Sequence, residues 1–87
     1  MPKFYFHLYD DIATTDYEGR YFPDLEAARA NALREARHLI GQAILQGRII
    51  LHHRIDVADE QGAVVLQMPF SEAVEIFTKS AETRSPS

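Results

Sequence analysis

Lys3–Tyr9 alternates strictly, with Phe4, Phe6 and Leu8 on one face and Tyr5, His7 and Tyr9 on the other. Period two with aromatic residues predicts a strand. Asp10–Asp16 is polar and reads as a loop. Tyr17–Phe22 predicts a short second strand, with Gly19 as a bulge or turn residue. The apolar period then changes. Leu25, Ala28, Ala32, Leu33, Ala36, Leu39, Ile40, Ala43 and Ile44 cover one broad face at 100° per residue, as in a helix lying on a sheet. Asp24 is placed to cap its start by accepting from Glu26 or Ala27, and Gly47 suits the left-handed position after its end near Gln46. Ile49–Ala58 returns to period two and predicts a third strand, with Ile49, Leu51, His53, Ile55 and Val57 on one face. Asp59–Gly62 reads as a hairpin turn and Ala63–Met68 as a fourth strand. Pro69 stops that strand. Ser71 is the expected cap of a short helix, Glu72–Phe77. Lys79–Ser87 has no periodicity and is expected to be a disordered tail.

The fold class is therefore α+β: a two-layer α/β sandwich of order ββαββ(α). Residues 1–78 are expected to form a single domain and 79–87 the tail. A right-handed crossover that leaves room for the first strand gives a four-stranded antiparallel sheet in the order 2-1-3-4. The long helix covers one face. The core is expected to hold Phe4, Phe6, Leu8, Leu25, Ala32, Leu33, Ala36, Ile40, Ala43, Ile55 and Val57. The other face would carry Tyr5, His7, Tyr9, Ile50 and Ala58. Monomers rarely leave a large apolar patch in water, so this face is expected to join two copies. Tyr5, His7, Tyr9, Val74 and Phe77 are the candidate interface.

Composition narrows the chemistry. The chain has 87 residues and a net charge of −4 at pH 7, which argues against binding nucleic acid or anionic membrane through a basic surface. It has no cysteine, so disulfides, thiol nucleophiles and cysteine-based zinc sites are excluded. No apolar run reaches the ~18 residues of a membrane span, and the first residues lack a signal-peptide pattern. These readings point to a cytoplasmic protein.

The sequence assembles no nucleophile, base and oxyanion donor, and its glycines stand alone. No catalytic residue, cofactor or metal site is assigned, and an enzyme is not expected. His52 and His53, adjacent on the expected third strand, should point to opposite faces and so cannot chelate one ion together. His7 and His38 lie on separate elements. The aspartates flank loops and turns, where they usually bond their own backbone. Arg29 falls in the apolar sector of the helical wheel, and a charge there calls for a partner. Asp10 and Asp11 are the candidate carboxylates for an internal salt bridge.

Met1-Pro2-Lys3-Phe4-Tyr5-Phe6-His7-Leu8, Glu18-Gly19, Phe22–Ala30 and Pro69–Val74 together resemble a family of small alphaproteobacterial proteins catalogued as a domain of unknown function. That resemblance implies a stand-alone cytoplasmic domain in bacteria. It brings no activity, cofactor or site residue. Phe22-Pro23-Asp24-Leu25 and Asn31-Ala32 are also similar to HicB-type antitoxins, although the chain passes from Leu25 straight into the helix and lacks an appended DNA-binding segment. The expectation is a non-enzymatic protein-interaction module acting as a homodimer, with a small regulatory protein of antitoxin or nucleic-acid-binding type as the alternative.

Overall fold

The computed structural model describes residues 1–78; the expected tail, 79–87, lies outside the described residues. The alternating segment Lys3–Tyr9 forms strand β1, with Phe4 and Phe6 buried. Two short strands, β2 (Ala13–Thr14) and β3 (Arg20–Tyr21), follow. Helix α1 spans Leu25–Leu45. Strands β4 (Arg54–Ala58) and β5 (Val64–Pro69) form a hairpin, and α2 (Phe70–Ala73) ends the described elements.

All strand pairings are antiparallel. The sheet order is β2-β1-β4-β5, with β3 also paired to β1. The expected sheet had four strands in another order. The difference arises because the partner of β1 along one edge is split in two. Leu8 and Tyr9 face Thr14 and Ala13, whereas Lys3 and Phe4 face Tyr21 and Arg20. Between these pairings Thr15–Gly19 lies opposite the shorter stretch Tyr5–His7, so the edge bulges. Gly19 sits there at φ 70°, and a Cβ on it would come within 2.9 Å of the Tyr5 ring and 3.0 Å of the Phe4 carbonyl oxygen.

Asp24 caps α1 by accepting from the Ala27 N–H at 2.8 Å. At the other end Gly47, at φ 86°, donates to the Ile44 carbonyl and Arg48 donates to that of Ala43. This is a Schellman closure. The chain then crosses from the helix layer to the sheet without forming strand. The expected third strand starts at Arg54, not Ile49, because β1 ends at Tyr9, the residue opposite Arg54, and offers nothing further to pair with. In the β4–β5 turn the Asp59 carboxylate accepts from Gln61 and Ala63, with Gly62 at φ 86°.

The core lies between α1 and the sheet. Phe4, Phe6, Ala28, Ala32, Ala36, Ile40, Ile55, Val57, Met68, Phe70 and Ala73 form it, and Leu8 and Leu33 pack against its margin. The alanines let α1 approach the strands closely. Leu25, expected inside, is 41% exposed. At the N-terminal half the buried stripe runs through Ala28, Asn31 and Ala32, which leaves Leu25 and Arg29 on its outer flank. The short helix begins at Phe70, and Pro69, not Ser71, occupies its cap position. Phe70 and Ala73 insert under α1, so this helix closes the filled side and does not cover the open face.

Phe6 packs edge-to-face on Phe22 at 5.8 Å, tying β1 to the segment entering α1. Phe6→Ala is expected to lower unfolding free energy by about 3–5 kcal/mol, measured by urea denaturation.

Candidate functional site

Three polar constellations stand out. The first fills the bulge beside β1. One oxygen of the Asp16 carboxylate accepts from the Phe6 N–H at 3.0 Å; the other accepts from Glu18 at 3.0 Å and Gly19 at 3.1 Å. The Asp16 N–H itself donates to His7 Nδ1 at 3.0 Å. A side chain thus takes the place of the missing strand between β2 and β3. Burial raises the Asp16 pKa, but the three backbone N–H groups and the nearby His7 lower it more, and the net result lies below the ordinary carboxylate value.

The second links β3 to α1. Asn31, buried at mid-helix, accepts through Oδ1 from Arg20 at 3.1 Å and from Arg34 at 3.3 Å, and donates to Glu35 at 3.0 Å. Arg20 also pairs with Glu35 at 3.2 Å. Both guanidinium groups already have acceptors here, so the cluster is a brace between elements rather than a free anion site.

The third lies at the end of the sheet where β1 finishes and β4 begins. The Asp10 carboxylate accepts from the Ile12 N–H at 2.8 Å, an Asx turn that leaves Asp11 projecting. His52 Nε2 and His53 Nε2 lie 3.9 Å and 3.7 Å from Asp11 Oδ1. The expectation that these histidines diverge is corrected here. They precede β4, the chain bends at His52, and the two rings meet edge-to-face at 4.4 Å. The alternation rule applies only to extended strand.

The open face differs from the apolar surface that was expected. Tyr5, His7 and Tyr9 do line it, yet Asp56 is buried among them and pairs with Arg54 at 2.9 Å. The Arg54 guanidinium also lies 4.5 Å from the centre of the Tyr9 ring, and Lys3 Nζ lies 5.8 Å and 5.3 Å from the Tyr5 and Tyr21 rings. Val74 packs against the core beside α2, away from these tyrosines, while Phe77 is 86% exposed. The expected salt bridge of Arg29 is not formed among the described residues. Arg29 is exposed, Asp10 serves its own turn, and Asp11 faces the histidines.

Neither Asn31 nor Asp56 was singled out from sequence as a buried polar residue. A buried Asn on a helix two residues from a charged neighbour has no local signature; only the long-range approach of Arg20 reveals it.

A family model for a domain of unknown function (DUF6894) matches residues 3–71, and the chain belongs to that family. No curated protein and no solved structure matches it. No helix among the described residues is long and apolar enough to cross a membrane.

Asp16 needs both oxygens as acceptors, so Asp16→Asn must set an NH2 group against a backbone N–H. Asp16→Asn and Asp16→Ala are each expected to destabilise by about 1–3 kcal/mol. Because the folded pKa is depressed, the contribution is complete above the unfolded carboxylate pKa of about 4 and fades as pH falls through the folded value. Urea titrations across this window should show a shallower acid-side loss in Asp16→Ala than in the parent.

Proposed function

We propose that this DUF6894 member is a non-enzymatic, cytoplasmic protein-interaction module that works as a homodimer, joined along the free edge of β5. The observation that carries this reading is the strand itself. β5 pairs with β4 on one side and with no other strand among the described residues. Its residues, Val64-Val65-Leu66-Gln67-Met68-Pro69, include no charge, and Val64 and Val65 are 52% and 38% exposed. An uncharged strand edge is a template for pairing, and two-fold antiparallel pairing closes it.

The polar character of the open face moves the proposed contact away from the tyrosine row. Desolvating the Arg54–Asp56 pair and the three cation–aromatic contacts would cost more than burying an apolar sheet face. The same contacts weigh against the alternative of nucleic-acid binding. Cations already lie over the rings that bases would stack on, and the helix arginines Arg34 and Arg37 are engaged by Asn31 and by the Ala73 carbonyl.

Sedimentation equilibrium at micromolar concentration is expected to show twice the 9.9 kDa chain mass. Val65→Lys should return the mass to that of one chain with an unchanged circular dichroism spectrum. Tyr5→Ser with Tyr9→Ser should leave the dimer intact. A single-chain mass for the parent overturns the proposal, and dissociation by the tyrosine pair alone would move the interface to the open face.

A further inference from the structure

The geometry points to a divalent transition-metal site, zinc by donor chemistry, held by Asp11 Oδ1, His52 Nε2 and His53 Nε2. One ligand atom from each of these three side chains lies within 4.8 Å of the other two. Bonds of about 2.0–2.1 Å to a tetrahedral ion place ligand atoms about 3.4 Å apart. The distances of 3.7 Å and 3.9 Å from Asp11 to the two imidazoles need to close by only a few tenths of an ångström. Asp11 and His52 are exposed at 89% and 75%, so their side chains are free to make that adjustment.

Independent observations support a ligand here. His53 is 12% exposed, and its Nε2 is buried without a hydrogen-bond partner. Such an atom is costly to leave unsatisfied, and a metal ion satisfies it. His53 is also the best anchored of the three. Its ring rests edge-to-face on Phe70 at 5.7 Å, and its carbonyl accepts from the Phe70 N–H at 2.8 Å. The other aspartates have hydrogen-bonding duties. Asp10, Asp16, Asp24 and Asp59 accept from backbone N–H groups, and Asp56 accepts from Arg54. Asp11 has no hydrogen bond among the described residues, and the two imidazoles are what it faces.

Two imidazoles, which are borderline donors, beside one carboxylate make a mixed nitrogen and oxygen set that suits zinc, cobalt, nickel or copper. Magnesium and calcium prefer sets composed wholly of oxygen. Three protein ligands leave a fourth position for water or for a donor from another molecule. This site stands on its own geometry and does not depend on the β5 dimer.

Titration calorimetry of the full chain with zinc chloride at pH 7.5 tests it, with cobalt chloride as a spectroscopic probe in parallel. The expected result is about one ion per chain and a cobalt spectrum of low coordination number. Asp11→Asn and His52→Ala, both at exposed positions, should each weaken zinc binding at least about tenfold, the lower range found even for outer partners of metal ligands. His38→Ala should leave binding unchanged, and magnesium should give no heat. No zinc binding at submillimolar concentration overturns the proposal. So does binding that survives both Asp11→Asn and His52→Ala, or that is lost in His38→Ala.

Discussion

The edge of the sheet beside β1 depends on one carboxylate. A strand next to β1 must satisfy its outward N–H and C=O groups, yet β2 and β3 cover only its two ends. Asp16 supplies the middle. It accepts from the Phe6 N–H, and it turns the chain by accepting from Glu18 and Gly19, so a single side chain does the work of a missing strand. His7 completes the arrangement from the open face by accepting from the Asp16 backbone. Gly19 is the backbone counterpart, since its positive φ and its closeness to the Tyr5 ring leave no room for a Cβ. Without this knot Phe6 would lose its N–H partner at the point where its ring meets the core.

Much of the framework was legible because local signals agreed with the global fold. The strand Lys3–Tyr9, the cap at Asp24, the close of α1 at Gly47 and the β4–β5 turn all rest on residue types whose preferences act within a few positions. Features that depend on distant residues were not legible. Asn31 is buried because Arg20 reaches it from another element, and Asp56 because Arg54, Tyr9 and His7 surround it. Arg29 shows the reverse error. The helical wheel assumes a broad, continuous cover along its whole length, whereas the buried stripe of the first turns runs through Ala28, Asn31 and Ala32 and leaves Arg29 outside it.

His52 and His53 were misread for a different reason. Five residues after the helix share the period of β4, so the pattern extends the strand to Ile49 on paper. Strand geometry, however, needs a partner. Tyr9 is the last residue of β1, and the Asx turn at Asp10 then bends the chain away. The same turn that denies His53 a strand neighbour presents Asp11 to it. Loss of alternation and gain of a three-residue cluster thus have one cause.

That cause also explains why this end of the molecule is polar and open. A domain of this size cannot cover every connection with apolar side chains. The two connections that meet here carry Ile12 and Ile49, 76% and 72% exposed, although Leu51 packs against the core and holds the second from within. What joins them is the approach of Asp11 to two imidazoles some forty residues away along the chain. The β1–β4 pairing, which ends at Tyr9 and Arg54, already brings these connections together, so the Asp11 contacts do not bear the entropy cost of closing the loop. Contacts of 3.7 Å and 3.9 Å between side chains that are mostly solvent-exposed on the acid's side contribute little by charge alone. An additional bond at that point would therefore stiffen both connections at once, and the anchored ring of His53 would pass the constraint to Phe70 and the core.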